Sequence, residues 1–133
     1  MRTTVFSFIL ASFILIFLQS PTYAENTIKI GVTGAHQGDL ASYGLPSLKA
    51  TQLVVKDINS QGGINGVPIE LLAEDDGCKP EVATNVATKL VAAGVKAVIG
   101  HVCSGPTKAT LPIYRDANVV VISPAATTPN LSQ

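Results

Sequence analysis

Blocks of apolar residues alternate with mixed segments along residues 27–133, and their lengths predict strands and helices in strict alternation. Short runs rich in β-branched residues predict buried strands, whereas apolar residues that recur every three or four positions predict amphipathic helices. The strands are predicted at 28–32, 67–73, 95–100 and 119–122, and the helices at 43 or 46 to 61, 80–93 and 107–117. Single helices between successive strands imply right-handed βαβ units, so the sequence predicts an α/β fold with a doubly wound parallel sheet.

If the strands have the order 2-1-3-4, three loops meet at one edge of the sheet. In a parallel sheet with the order 2-1-3-4, the switch point lies between the first and third strands, and ligands bind there beyond the carboxyl ends of the strands. The loops expected at this point are Thr33–Tyr43, His101–Pro106 and Ser123–Pro129. They are the predicted location of a binding site.

Ser104 lies between the third strand and the third helix and is followed by Gly105 and Pro106. A small hydroxyl residue and a proline at a helix start are typical of a capped first turn. The same arrangement directs free backbone N–H groups and the positive end of the helix dipole toward one point, which suits a carboxylate or a phosphate. Two interpretations of this stretch stay open: Ser104 only caps its helix, or it is half of an anion-binding site.

The three loops together carry groups that suit a small zwitterion. Ser104 can serve a carboxylate, while the carbonyl oxygen of Ala125 and the hydroxyl of Thr127 can serve an ammonium group. Tyr43 can form an apolar wall beside them. Residues 125–129 are equally compatible with an ordinary loop between a strand and a helix, and their chemistry alone does not decide between the two.

Residues 1–24 have the three parts of a secretory signal peptide. Arg2 precedes an apolar run from Val5 to Leu18, and small residues stand at the −3 and −1 positions of a cut after Ala24. The run is shorter than the ~20 residues of a membrane-spanning helix, which favours cleavage over an uncleaved anchor. The predicted product is a periplasmic chain of residues 25–133 that does not insert into the membrane.

The charge balance and the missing motifs exclude several classes of function. Without Arg2 the net charge is about −1, which offers no basic surface for nucleic acid. The segment Gly31–Gly34 does not match the dinucleotide-binding fingerprint, and no phosphate-binding loop with Gly-Lys-Ser/Thr occurs. We therefore expect no cofactor and no catalytic residue, and the chain is predicted not to be an enzyme.

No metal site is predicted either. The two histidines, His36 and His101, have no third ligand at a suitable spacing. The acidic residues 74–76 are open to interpretation as a metal or acid–base site. We instead expect them to be solvated carboxylates that favour the start of the helix opened by Pro80.

Cys78 and Cys103 are the two cysteines of the chain. An exported protein meets an oxidising compartment, and an even number of cysteines favours pairing, so we predict a disulfide between them. A catalytic thiol is the alternative. It is disfavoured because the chain has no Cys-x-x-Cys spacing.

Four segments together resemble the periplasmic substrate-binding proteins of branched-chain amino acid ABC transporters, of the leucine/isoleucine/valine-binding type. Their order and spacing match that family over nearly all of residues 25–133. The segments are Asp57–Gly66, Asp75–Pro80, Val98–Ser104 and Ile122–Thr127. The resemblance implies the type I periplasmic binding fold, whose two lobes close on one amino acid and deliver it to a membrane permease.

The resemblance also implies roles for individual residues. Ser104 would bind the substrate carboxylate, and Ala125 and Thr127 would hold its ammonium and carboxylate groups. Tyr43 would pack on the substrate side chain. The disulfide of the family maps to Cys78 and Cys103.

Three features depart from the family pattern. His36-Gln37 replaces a small hydroxyl residue, Gly105-Pro106 replaces serines, and the chain is much shorter than a family member. Residues 25–133 are thus expected to be a partial N-terminal lobe, with the acidic partner of the substrate ammonium outside it. A ligand-sensing receptor module of the same fold, for amino acids or small amides, is the alternative, and a nucleotide-binding enzyme is disfavoured.

Overall fold

A computed structural model describes residues 26–131, which form four strands, three α-helices and a short 3₁₀ helix. The predicted signal peptide, residues 1–24, lies outside the described residues. The strands are β1 (Ile28–Gly34), β2 (Ile69–Asp75), β3 (Ala97–Ile99) and β4 (Val120–Ile122). The helices are α1 (Ala41–Ser60), α2 (Pro80–Ala92) and α3 (Ser104–Asp116), and the 3₁₀ helix covers Pro129–Leu131.

The four strands form one parallel sheet with the order β2-β1-β3-β4. This result confirms the predicted α/β class, and the order of the strands is the one on which the expected binding site depends. β1 and β2 both run two residues further than their apolar runs, because Thr33 and Gly34 pair with Glu74 and Asp75. The carboxyl ends of β1, β2 and β3 therefore meet at one edge, as a switch point requires.

Alternate residues of the strands face different helices. Gly31 and Val98 are paired neighbours, and a Cβ atom at Gly31 would contact Leu90 of α2, so this face packs on α2 and α3. The core on this side includes one apolar face of α2, as expected of an amphipathic helix. Its buried members are Val86, Ala87, Leu90, Val95, Val98 and Tyr114.

The opposite face of the sheet meets α1. Ile30 and Ile99 line a groove of about 250 Å³ together with Thr51, Val54 and Ile58 of this helix. The apolar face of α1 is thus directed toward the sheet, but the groove is open and Val54 is exposed. Among residues 26–131, no helix is both long and apolar enough to span a membrane.

One close approach fixes the edge where the strands end. Gly100 follows β3 with a φ of 138°, and a Cβ atom there would clash with the side chain and carbonyl of Thr33 in β1. Only glycine combines this backbone conformation with this approach. Gly100 therefore lets the His101–Ser104 segment start directly beside the end of β1.

Candidate functional site

Ser104 is the first residue of α3, and its side chain does not cap that helix. Its hydroxyl oxygen accepts hydrogen bonds from the backbone N–H groups of Thr127, at 3.2 Å, and Thr128, at 3.4 Å. The cap-only interpretation of Ser104 is therefore wrong. The serine instead joins two of the three loops that the strand order brings together.

The carbonyl oxygen of His101 forms a second link between the same loops. It accepts a hydrogen bond from the hydroxyl of Ser123 at 2.6 Å, and another from the hydroxyl of Thr107 at 2.8 Å. Ser123 in turn accepts the backbone N–H of Ala126 at 3.1 Å. The segment after β4 is thus held against the segment after β3 at two points.

Tyr43 and Ala125 are the other two predicted site residues, and neither is hydrogen-bonded to Ser104 or Thr127. Tyr43 lies in the first turn of α1 with 66% of its surface exposed, and Ala125 is exposed as well. Within residues 26–131, no side-chain hydrogen bond joins either residue to Ser104 or Thr127. The structure thus brings Ser104 and Thr127 together. Tyr43 and Ala125 are exposed at the same edge of the sheet.

The start of α1 is set by close packing beside Tyr43. A Cβ atom at Gly44 would clash with the backbone of Ala35, which directly follows β1. Glycine at this position lets the first turn of α1 lie against the end of β1. Tyr43 is therefore anchored through its backbone although its ring is exposed.

Asp76, His101 and Tyr114 form a buried cluster that the sequence analysis did not identify. Asp76 and His101 are 0% exposed and Tyr114 is 1% exposed. Nδ1 of His101 lies against Oδ2 of Asp76, and Nε2 of His101 is 3.2 Å from the hydroxyl of Tyr114. The expectation that residues 74–76 are all solvated is wrong for Asp76, because His101 offers it a buried partner.

Two hydrogen bonds link the three groups in a row. A carboxylate can only accept, so Nδ1 of His101 donates to Asp76. Burial, with a contribution from the charge of Asp76, raises the pKa of Tyr114, so its phenol keeps its proton. The Tyr114 hydroxyl and Nε2 of His101 share a hydrogen bond, and the protonation of the imidazole decides which of them donates.

The other two acidic residues of this segment have ordinary local roles. Oδ1 of Asp75 accepts the N–H of Gly77 at 2.8 Å, and Glu74 pairs with Lys89 at 2.7 Å. In the part of the chain that the structure describes, no group of three or more His, Cys, Asp or Glu side chains could hold a metal ion.

A disulfide joins Cys78 to Cys103, with a distance of 5.5 Å between their Cα atoms. This confirms the predicted pairing. Cys78 follows the buried Asp76, whose Oδ1 accepts its N–H at 2.8 Å, and Cys103 directly precedes Ser104. The bond therefore ties the loop after β2 to the segment that carries the candidate binding serine.

The sequence matches the periplasmic binding protein family over residues 27–133. The chain belongs to this family. The Leu/Ile/Val-binding protein of Escherichia coli (strain K12) is 40% identical over 124 residues, which cover 93% of this chain and 34% of that protein. The leucine-, isoleucine-, valine-, threonine- and alanine-binding protein of Pseudomonas aeruginosa is 41% identical over 113 residues, which cover 85% and 30%.

Solved structures of periplasmic binding proteins match the fold as well. The branched-chain amino acid transporter substrate binding protein LivJ from Streptococcus pneumoniae, in complex with isoleucine, is 42% identical. It superposes with a TM-score of 0.75 over 79% of this chain and 30% of that chain. An ABC transporter substrate-binding protein from Desulfitobacterium hafniense in complex with Leu is 36% identical, with a TM-score of 0.64. This periplasmic binding protein chain thus spans about a third of the length of its relatives.

Proposed function

We propose that this chain is the ligand-contacting part of an extracytoplasmic solute-binding protein that binds leucine, isoleucine or valine for an ABC-type transporter. The proposal depends on the contact of the Ser104 hydroxyl with the backbone N–H groups of Thr127 and Thr128, at the switch point of the sheet. The relatives named after these amino acids support the choice of ligand. The protein acts by binding, and no catalytic step is part of this function.

The geometry of Ser104 suits a substrate carboxylate. Its oxygen already accepts backbone N–H groups, so its own hydrogen is left to donate to a carboxylate oxygen. The first turn of α3 supplies further N–H groups and the positive end of the helix dipole, although Pro106 has no N–H to offer. A carboxylate bound here gains both hydrogen bonds and a favourable field.

The remaining groups complete the proposed contacts. The carbonyl oxygen of Ala125 and the hydroxyl of Thr127 hold the ammonium group, and Thr127 also reaches the carboxylate. The exposed ring of Tyr43 covers the aliphatic side chain. This half-site leaves one side of the amino acid in water, so tight binding requires a second lobe that buries it.

The proposed setting is the periplasm. Residues 1–24 are a cleaved signal peptide, and residues 25–133 are part of the N-terminal lobe of the binding protein. The Cys78–Cys103 disulfide supports an oxidising compartment. A membrane permease of the ABC transporter receives the amino acid.

Calorimetric titration tests the function. The chain is joined to the second lobe and remaining segments of the Escherichia coli relative, and leucine, isoleucine, valine and aspartate are titrated into the product. We expect the three branched-chain amino acids to bind and aspartate not to bind, because no described group of the site pairs with an acidic side chain. Absence of heat with all three branched-chain amino acids would contradict the proposed ligand class.

A pair of serine variants tests the site. Ser104→Ala is expected to weaken leucine binding by about 1–3 kcal/mol, because the carboxylate loses a hydrogen-bond donor. Ser60→Ala is the matched control, since the Ser60 hydroxyl is exposed and bonds only to its own helix. Equal affinities of the two variants would remove Ser104 from the site.

A further inference from the structure

The buried Asp76–His101–Tyr114 cluster joins three separate elements below the candidate site. Asp76 follows β2, His101 follows β3 after Gly100, and Tyr114 lies near the end of α3. Ser104 is at the other end of the same helix, ten residues before Tyr114, which is about 15 Å along the axis. None of the three residues belongs to the proposed ligand contacts.

The backbone of His101 connects this cluster to the site. Its side chain is held between Asp76 and Tyr114, while its carbonyl oxygen accepts the hydroxyls of Ser123 and Thr107. The orientation of the imidazole therefore restricts the peptide that supports the segment after β4. That segment carries the N–H groups of Thr127 and Thr128 that meet Ser104.

Stability alone is a weak reason for such a cluster. A buried ionic or polar group gives up its hydration, and well-packed apolar residues of similar volume are often as stabilising. Apolar packing, however, accepts several orientations of a side chain, whereas the two ring nitrogens of His101 find partners in one orientation only. The cluster thus differs from apolar packing because it fixes the orientation of the His101 side chain.

We propose that Asp76, His101 and Tyr114 are positioning residues that hold the His101–Ser104 segment so that the Ser104 hydroxyl meets the Thr127 and Thr128 amides. Tyr114 aims the imidazole from α3, and Asp76 does so from the loop after β2. Oδ1 of Asp76 also accepts the N–H of Cys78, so the network extends to the disulfide. The buried cluster thus fixes the positions of the loops that form the site, although none of its residues contacts the ligand.

Tyr114→Phe tests the proposal against Thr110→Val. Both variants remove one buried hydroxyl from α3 and preserve the size of the side chain. The Thr110 hydroxyl bonds only to the carbonyls of Pro106 and Thr107 in its own helix, whereas the Tyr114 hydroxyl reaches His101. A purely structural effect would be shared by the two variants, and a positioning effect would not.

The readout is amide hydrogen exchange, measured by NMR. The full chain is secreted into the periplasm of a host, so that its disulfide forms, and is then purified for the measurement. We expect Tyr114→Phe to lower the protection of the Thr127 and Thr128 amides at least fivefold relative to Thr110→Val, with amides of the β1–β2 ladder unchanged. Asp76→Asn should produce the same local loss. Unchanged protection of both amides in Tyr114→Phe and Asp76→Asn, or an equal loss in Thr110→Val, would overturn the proposal.

Leucine affinity adds a second readout, which rests on the proposed function. In the chain completed by the second lobe of a relative, Tyr114→Phe should weaken leucine binding about three- to tenfold while Thr110→Val does not. Leucine that binds neither the parent nor any variant contradicts the proposed function, and the exchange experiment still decides the positioning role. An affinity unchanged by Tyr114→Phe overturns the claim that the network positions the binding residues.

Discussion

The disulfide between Cys78 and Cys103 closes a loop across 25 residues, and its removal has a calculable effect. Cross-linking removes conformational freedom mainly from the unfolded chain. For a loop of 25 residues, the chain-entropy treatment gives a loss of about 12 cal/mol/K, or about 3.5 kcal/mol at 25 °C. Reduction should lower the free energy of unfolding by this amount, which is a large share of the stability of a small domain.

Urea unfolding of the oxidised and the reduced chain, followed by circular dichroism, measures the difference. The double variant Cys78→Ala, Cys103→Ala is the control. It should match the reduced chain and should not respond to a reducing agent. Reduction should also loosen the site, because Cys103 is bonded to Ser104 along the chain.

Two results would refute this reasoning. A difference below about 1 kcal/mol would mean that loop closure does not dominate the effect of the bond. A double variant as stable as the oxidised chain would mean the same, since it lacks the cross-link in both the folded and the unfolded state.

Three further predictions concern packing, backbone strain and pH, each measured by urea unfolding. Leu90→Ala, at a side chain 1% exposed, should lower the free energy of unfolding by about 2–5 kcal/mol, while Leu53→Ala, at 69% exposure, should change it little. Gly66→Ala should cost about 1–2 kcal/mol through its left-handed backbone alone, and Gly100→Ala should cost more because its Cβ atom would also clash with β1. Burial raises the pKa of Tyr114, so the folded state keeps a proton that the unfolded chain releases, and stability should fall as the pH rises above about 10. Tyr114→Phe should show a shallower fall over the same pH range, and parallel curves would contradict the assigned cause.

The sequence was sufficient to predict a parallel α/β sheet because each helix lies between two apolar strands, but this alternation did not determine the order of the strands. The prediction of α2 was close, since Pro80 and Gly94 bracket its apolar stripe. The strand ends were harder to predict. Thr33 and Glu74 belong to paired strands although they are polar, because the ladder between β1 and β2 continues beyond the apolar runs.

The candidate site was predictable only in part. The position of Ser104 followed from the strand order, but its contact with the Thr127 amide depends on two loops that are 23 residues apart. The Asp76–His101–Tyr114 cluster was missed because its members are 25 and 13 residues apart and polar residues were expected at the surface. The usable signal was that Asp76 and His101 each follow the end of a strand that pairs with β1.

The most direct test of the central claim is to map leucine onto the chain by NMR. A half-site binds weakly, and chemical-shift changes remain measurable at millimolar ligand. Leucine should shift the amide signals of Ser104, Thr127 and Thr128 and leave Asn65, in the turn before β2, unchanged. Shifts confined to other parts of the chain, or no shifts at all from a folded sample, would contradict the assignment of these loops as an amino acid binding site.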